Sequence, residues 1–327
     1  MTATPEAPPA AAVREGRRTA SRTRRRSERR RRFLRDRSLL IMVIPAVLLL
    51  IIFNYVPMFG TATAFQNYSI YAGFMHSPWT GLETFRSLFS DPLFWSALEN
   101  TLVLSLVQLV FFFPVPIALA MLLNSVMSNR IRTVVQSVVY LPHFFSWVLA
   151  VTIFQEMLGG AGALNQFLRQ HGLTTWTIMS NPDTFKFLVT AQVIWKEAGW
   201  GIIVFLAALA AIDQNLYEAS AVDGAGRWRR MWHVTLPGIR GIVVLMLVLR
   251  LGNTLTVGFE QMLIQRGAVG RDAAEVLDTY AYFYGVVNAN FSLGAAASLF
   301  KGVLSLILIL AANKIAHLVG EDGLYRR

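Results

Sequence analysis

Residues 102–123 read LVLSLVQLVFFFPVPIALAMLL, and no charged side chain interrupts this run. A helix needs about 20 mostly apolar residues to cross the roughly 30 Å of hydrocarbon in a bilayer. Because an unpaired backbone amide is costly in hydrocarbon, a run of this kind is expected to be helical. The sequence therefore predicts a membrane-spanning helix here, over residues 98–123.

Five further apolar segments of similar length lie along the chain, and Pro, Gly, Asn or charged residues close each of them. They cover residues 39–59, 134–157, 187–212, 241–264 and 293–319. The two-residue alternation of a membrane β-strand is missing from these segments. The sequence thus predicts an all-α membrane protein with six transmembrane helices, in a single domain over residues 38–320.

The composition of the whole chain also favours a membrane protein. Hydrophobic residues make up 54% of the 327 residues and charged residues only 15%, whereas soluble domains carry about 25% charge. The chain has no cysteine, which excludes disulfide scaffolds, cysteine-bound zinc and thiol catalysis. No catalytic residue, metal site or cofactor is expected, since the histidines are scattered and the phosphate-binding P-loop pattern is missing. A membrane enzyme built on scattered carboxylates remains an alternative.

Lysine and arginine are distributed unevenly between the two sides of the predicted bundle. The amino-terminal tail, alternate loops and carboxyl-terminal tail hold 22 of them, and the other loops hold five. Such cations are enriched on the cytoplasmic side of membrane proteins. The distribution therefore predicts a multi-pass protein of the plasma or inner membrane with both termini in the cytoplasm.

The amino-terminal tail, residues 1–37, holds 13 arginines against four acidic residues. This composition predicts a disordered cytoplasmic segment that lies on anionic lipid. Nucleic-acid binding is a less favoured interpretation, and a twin-arginine export signal is a third. A short cytoplasmic tail of residues 321–327 is predicted at the other end.

The loop between the fourth and fifth apolar segments differs from the other loops. Residues 217–237 read YEASAVDGAGRWRRMWHVTLP. Residues 218–221 suit a short helix, and Asp223-Gly224 is a turn signal because glycine tolerates positive φ. Residues 227–234 suit a second short helix, which Pro237 is expected to prevent from continuing. The predicted hook exposes apolar and basic groups, which indicates that a partner covers them.

This loop resembles the EAA signature of the inner-membrane permease subunits of ATP-binding-cassette (ABC) importers. Glu218-Ala219-Ser220 takes the place of Glu-Ala-Ala, with Ser220 as a departure from the pattern, and Gly224 and Leu236-Pro237 follow at the family's spacing. The resemblance implies a type I ABC importer permease fold, with a coupling loop over residues 213–240. It also implies four kinds of partner: a second permease subunit, two ATPase subunits that bind the ATP, an extracytoplasmic solute-binding protein and the solute itself.

The residues that the resemblance assigns to ATPase coupling are Glu218, Ala219, Ser220, Asp223, Gly224, Arg227, Trp228, Met231, Trp232, Leu236 and Pro237. Glu218 is expected to accept hydrogen bonds at the start of its helix, or to pair with Arg227, Arg230 or a partner arginine. The two tryptophans have an alternative role in an interfacial aromatic belt. A plain interhelical loop remains an alternative for the whole segment.

Three further stretches resemble the branch of this family that imports oligosaccharides and polysaccharide fragments: WKEAGW at 195–200, GFEQ at 258–261 and LDTY at 277–280. The candidate residues of a substrate pathway are Trp195, Trp200, Asn253, Glu260 and Gln261. They supply aromatic faces and hydrogen-bonding groups for a sugar, although polar residues also hold membrane helices together. Residues 68–99 and 159–186 are candidates for meeting the solute-binding protein or for packing on the bilayer surface.

Two other functions remain open on the sequence. One is a transporter of the same type for a non-sugar solute, such as an amino acid or a phosphate ester. The other is a channel or membrane scaffold that no ATPase drives.

Overall fold

The computed structural model describes residues 37–318 and 320, and the side chains of all of these except residues 38–40. The predicted amino-terminal tail, residues 1–37, lies outside the described residues except for Arg37. The predicted carboxyl-terminal tail, residues 321–327, lies outside them entirely. Helices dominate the described chain. It contains no β-strand, and one isolated bridge joins Gln66 to Trp79.

The chain divides into two compact units after Gly60. The described part of the first unit is one continuous helical run. It consists of the α-helix Arg37–Leu50, the π-helical segment Ile51–Tyr55 and the short helix Val56–Met58.

The 3-10 segment Phe59–Phe65 contains the division, and the second unit begins within it at Thr61. The α-helices that follow are Gly73–His76, Glu83–Ser90, Pro92–Phe111, Pro114–Asn124, Asn129–Tyr140, Trp147–Leu158, Ala163–Gln170, Pro182–Ala210, Gln214–Val222, Arg227–Arg230, Leu236–Gly252, Phe259–Val269, Arg271–Ala274, Leu277–Tyr280 and Phe291–Leu318. Shorter 3-10 and π-helical segments cover Leu141–Phe144, Ile178–Ser180, Met231–Thr235 and Ala281–Val287.

Within residues 37–318, six helical stretches are long and apolar enough to cross a membrane, which confirms the predicted number. Spans one to six are Ile41–Phe65, Pro92–Asn124, Trp147–Gln170, Pro182–Ala210, Arg227–Gly252 and Phe291–Leu318.

The boundaries of the third span differ from the predicted span over residues 134–157, in which Pro142 allowed at most a bend to be expected. The chain forms the helix Asn129–Tyr140, then a 3-10 turn, and starts span three at Trp147. Pro142 cannot donate a backbone hydrogen bond, and Phe145 is extended with ψ of 143°. The Ser146 side chain then caps the new helix by accepting from the Leu149 amide at 3.2 Å. The helix is therefore broken at this point and not merely bent.

The predicted fifth span, residues 241–264, is also wrong in its bounds. Its helix ends at Gly252, and a separate helix begins at Phe259 after Gly258, which has a φ of +90°. The Asn253 and Thr254 amides form turn hydrogen bonds to the carbonyls of Arg250 and Leu251. Asn253, Glu260 and Gln261 consequently lie beyond the end of span five instead of inside it.

Proline and a preceding acceptor side chain set the start of two spans. Asp91 accepts from the Leu93 amide at 2.9 Å, and Asn181 accepts from the Asp183 amide at 2.9 Å. Pro92 and Pro182 occupy the first helical turn, where an N–H would have no partner within the helix.

Span four is the central helix of the second unit. Of its most apolar stretch, 39% is buried within the protein, against 17% for spans five and six. One core cluster joins it to spans two and five through Leu123, Ile202 and Ile239. Gly199 lets its backbone approach the segment around Val139 so closely that an added Cβ would collide with the Val139 carbonyl. Span four therefore holds the residues that follow it in a fixed position.

Candidate functional site

The coupling loop, residues 213–240, opens with a well-capped helix. The Asp213 side chain accepts from the Asn215 amide at 2.9 Å and so starts the helix Gln214–Val222. Glu218 lies in the middle of this helix and is exposed. The expected capping role of Glu218 is therefore wrong, and within the described part of the chain it forms no ion pair with Arg227 or Arg230. Its carboxylate faces solvent.

A complete Schellman motif ends this helix. The Gly224 amide donates to the Ala221 carbonyl at 3.1 Å, and the Ala225 amide donates to the Ser220 carbonyl at 2.9 Å. Gly224 has a φ of +75°, in the left-handed region that glycine enters without steric cost. The chain reverses here within four residues, and the second arm begins at Arg227.

The second arm of the loop is continuous with span five. The helix Arg227–Arg230 passes into the π-helical segment Met231–Thr235 and then into the helix Leu236–Gly252. The expectation that Pro237 ends this helix is wrong, because the arm continues past it. Pro237 occupies the first turn of the last helix, and the wider π-helical turn before it leaves room for the ring. The helical backbone is consequently continuous from Arg227 to Gly252.

A side-chain contact joins the two arms. The hydroxyl groups of Tyr217 and Thr235 lie 3.0 Å apart. Thr235 is buried and also donates to the Arg230 carbonyl at 3.5 Å, so its oxygen is left to accept from Tyr217. This contact closes the hook between its first helix and the base of span five.

The loop presents apolar side chains to its surroundings. The exposed fraction is 89% for Val222, 74% for Trp228, 61% for Trp232 and 54% for Leu216. Val222 and Leu216 were not among the predicted coupling residues. Of those that were, Ala219, Asp223, Arg227 and Pro237 are also exposed, and Ser220, Met231 and Leu236 are half-buried. Exposed apolar side chains that are grouped in this way are typical of an interaction surface.

A second group of polar residues lies where the break at 141–146 contacts span four. His143 Nδ1 is 2.8 Å from a Glu197 oxygen, and the Lys196 ammonium donates to the other Glu197 oxygen at 2.9 Å. Lys196 also donates to the His143 carbonyl at 3.1 Å. The three residues fasten the broken segment to the middle of span four.

Both tryptophans of the candidate pathway lie beside this cluster. Trp200 is 54% exposed and stacks on the His143 ring, with 4.8 Å between centroids and an angle of 12° between the planes. Trp195 is half-buried and contacts the Phe145 and Phe154 rings. Of these two tryptophans, Trp200 offers the more accessible aromatic surface.

The remaining candidates for the pathway have different environments. Asn253 and Glu260 are exposed. Gln261 is fully buried and donates to the Val189 carbonyl at 3.1 Å and to Gln192 Oε1 at 2.6 Å. Gln265 joins the same network with a bond of 2.9 Å to Gln192. In this conformation Gln261 holds helices together and presents no polar atom to a pathway.

Arg250 links spans two and five. Its guanidinium donates to Gln108 Oε1 at 3.0 Å and lies over the Phe112 ring, 4.9 Å from the centroid. Gln108 is buried. The contact therefore places a permanent positive charge inside the bundle.

The sequence alone did not identify His143, Gln192, Gln265 or the Tyr217–Thr235 pair as residues of the site. The spacing of Gln261 and Gln265, four residues apart, was an available signal for a polar helix face. His143, Gln192 and the Tyr217–Thr235 pair gave no such signal, because their partners are distant along the chain.

The segment between spans five and six is held by buried polar contacts. Tyr280 donates to Asp91 Oδ2 at 2.6 Å, and Arg266 pairs with Glu275. Burial, with the hydrogen bond to Asp91, raises the pKa of Tyr280, so its hydroxyl stays protonated and keeps donating. This segment is thus a fixed part of the fold.

Six apolar spans, with a Lys196–Glu197 pair in the central one, and a capped hook that continues into span five are typical of a polytopic membrane protein of the transport-permease class. Residues 112–320 match the model of the family described as binding-protein-dependent transport system inner membrane component. The chain belongs to this family, and it is a multi-pass membrane protein.

The comparisons with known proteins include close relatives over nearly the whole chain. The polygalacturonan/rhamnogalacturonan transport system permease protein YteP of Bacillus subtilis (strain 168) is 42% identical, over 89% of this chain and 91% of that protein. A chain in the crystal structure of a bacterial alginate ABC transporter, in complex with an alginate pentasaccharide-bound periplasmic protein, is 36% identical. It matches with a TM-score of 0.82 over 90% of this chain and 99% of that one. A second structure, of a bacterial ABC transporter that imports the acidic polysaccharide alginate, matches with a TM-score of 0.81 at 36% identity, over 88% of this chain and 98% of that chain.

Proposed function

We propose that this protein is the permease subunit of an ABC importer that carries an oligosaccharide or polysaccharide fragment into the cell. The related proteins with 36–42% identity are named for the transport of polygalacturonan, rhamnogalacturonan and alginate. The shared fold covers about nine-tenths of this chain. These relatives favour a sugar over an amino acid or a phosphate ester.

The observation that carries the coupling mechanism is the geometry of the hook. Its first helix is capped at both ends, and the Tyr217–Thr235 contact ties it to a second arm that continues into span five. Such an element transmits a displacement without bending. The exposed side chains of Val222, Trp228 and Trp232 supply apolar anchors for a groove on an ATPase subunit.

The permease performs no bond chemistry in this mechanism, and ATP is bound and hydrolysed on the partner. Closure of two ATPase subunits around ATP moves the hook, and span five moves with it. A change in the packing of span five against spans two and four then alternates the access of a central pathway. A ligand shifts such an equilibrium only by its differential affinity for the two states.

The proposed assembly contains a second permease subunit, two ATPase subunits and an extracytoplasmic solute-binding protein. The related alginate transporter was crystallised with a pentasaccharide-bound periplasmic protein, which supports the last of these partners. The excess of arginine and lysine in the tails and in the coupling loop supports an orientation with both termini in the cytoplasm.

Replacing Glu218 by lysine tests this function. The carboxylate is exposed and forms no ion pair within the described chain, so E218K leaves the fold intact. We expect the variant to reach the membrane at the normal level and to lose sugar uptake, because the charge on the docking surface is reversed. M127K is the matched control, since Met127 is 92% exposed in a loop on the same side of the bilayer. Normal uptake by E218K, or equal loss in M127K, contradicts the proposed coupling.

A further inference from the structure

Three cations that are shielded from solvent in the second unit have a carboxylate in direct contact. Arg266 pairs with Glu275 and Lys301 with Asp278, each at 2.5 Å. Lys196 pairs with Glu197 at 2.9 Å. Charges inside a membrane protein are costly unless they are matched in this way.

Arg250 differs from these three cations. Its hydrogen-bond partner is an amide, Gln108 Oε1, and no carboxylate of the described chain forms an ion pair with it. The acidic group within its electrostatic reach is Glu197. Glu197 already accepts from Lys196 and contacts His143. One carboxylate thus serves two permanent cations, and the cluster keeps an excess positive charge.

The cluster lies along three of the spans. Lys196 is midway between the ends of span four, Pro182 and Ala210, and Gln108 is midway between the ends of span two, Pro92 and Asn124. Arg250 lies close to the end of span five at Gly252 and reaches Gln108 through its side chain. A cation in such a place faces protein or water, since exposure to lipid is costly.

Several N–H donors at this point have no hydrogen-bond acceptor among the described residues. A guanidinium has five N–H donors, and the contact with Gln108 uses one of them. Gln108 is 3% exposed, and its Nε2 has no hydrogen-bond partner although it is buried. Because Gln108 Oε1 accepts from Arg250, the amide orientation leaves Nε2 as a donor beside the guanidinium. The planar guanidinium fork, which Gln108 orients through its Oε1, suits the two oxygens of a carboxylate.

We propose that Arg250 and Gln108 form a subsite that binds a carboxylate of the transported sugar, so that the substrate is an acidic, uronate-containing oligosaccharide. This inference rests on the proposed function and names the class of its substrate. Arg250 is half-buried, so one edge of its guanidinium is accessible. Exposed Asn253 and Thr256 follow it at the end of span five and supply further polar groups for a sugar.

Binding to the assembled transporter without its solute-binding protein tests the subsite directly. The probes are galacturonate and mannuronate trisaccharides and their methyl esters, which have the same ring hydroxyls without the charge. Saturation-transfer NMR gives the affinity for each form in lipid nanodiscs. We expect at least one acid form to bind about tenfold more tightly than its ester, equivalent to about 1.4 kcal/mol.

The variants R250Q and R250K decide whether Arg250 produces this preference. R250Q removes the charge and is expected to bring acid and ester within about twofold, while R250K keeps part of the preference because an ammonium lacks the bidentate fork. K314Q removes an exposed cation near the end of span six and should leave the preference unchanged.

An undiminished preference in R250Q, or an equal affinity of the wild type for acid and ester, overturns the proposal. Dissociation of the two permease subunits in R250Q with recovery in R250K also overturns it, because Arg250 then pairs with a carboxylate of the other permease. None of these results affects the proposed function, which depends on sugar uptake and its loss in E218K.

Discussion

Gly224 is the residue on which the shape of the hook depends most directly. Its φ of +75° and its place in the Schellman motif require a residue that enters the left-handed region. A Cβ at this position meets no neighbouring atom, so the cost of a substitution arises from the backbone alone. The sequence allowed this residue to be predicted, because Asp-Gly is a local turn signal.

Substitutions at Gly224 are expected to follow the cost of a left-handed backbone. G224A should destabilise the turn by about 1–2 kcal/mol, and G224N by less, since asparagine tolerates this region. G224P should be most severe, because proline has a negative φ and removes the N–H that donates to the Ala221 carbonyl. Uptake per ATP hydrolysed should fall in the order wild type, Asn, Ala, Pro. Equal coupling in all four proteins would show that the turn has no mechanical role.

Two glycines in the spans provide a matched pair for stability. A Cβ at Gly199 would collide with the backbone at Val139, which cannot move away, whereas a Cβ at Gly302 meets nothing within 4 Å. G199A should lower the unfolding free energy by about 1–3 kcal/mol through overpacking. G302A should be neutral or raise it by about 0.5–1 kcal/mol, since alanine favours a helix. The midpoints of thermal unfolding in one detergent compare them, and similar midpoints contradict the proximity of span four to residue 139.

At the level of elements, the Tyr217–Thr235 contact joins the two arms of the hook into a single element. Y217F and T235V each remove the hydroxyl contact and should cost about 0.5–1.5 kcal/mol. Each is expected to lower the ratio of uptake to ATP hydrolysis, and the double variant should be no worse than the more severe single one. Independent, additive losses in this double-mutant cycle would exclude a direct coupling between the two residues.

The helices were predictable in number and type but not in every boundary. Long apolar runs indicate helices in hydrocarbon, so the number of spans could be predicted from the composition of these runs. The run over residues 134–157 hid a break, because the backbone geometry at Pro142 and Ser146 does not change hydropathy. The run over residues 241–264 likewise hid the turn at Gly258. Buried contacts such as Gln192 with Gln261 depend on tertiary structure and could not be read from spacing.

For the whole molecule, the absence of cysteine allows the orientation to be measured without background. Met75, Met127 and Leu173 are 84%, 92% and 55% exposed, in three loops between spans. We expect a membrane-impermeant maleimide to label M75C and L173C in intact cells, and M127C only after permeabilisation. The opposite pattern would place the hook outside the cell, where it meets no ATPase.

The most direct test of the central claim is to identify what the hook touches in the working transporter. A photo-crosslinking amino acid at position 222 or 228, both strongly exposed, is activated in the assembled complex, and mass spectrometry identifies the captured protein. The same group at position 75 is the control. Capture of an ATP-binding subunit from positions 222 and 228, but not from 75, is the predicted result. A complex that imports its sugar while the hook captures no ATPase would contradict the claim that the hook couples ATP hydrolysis to transport.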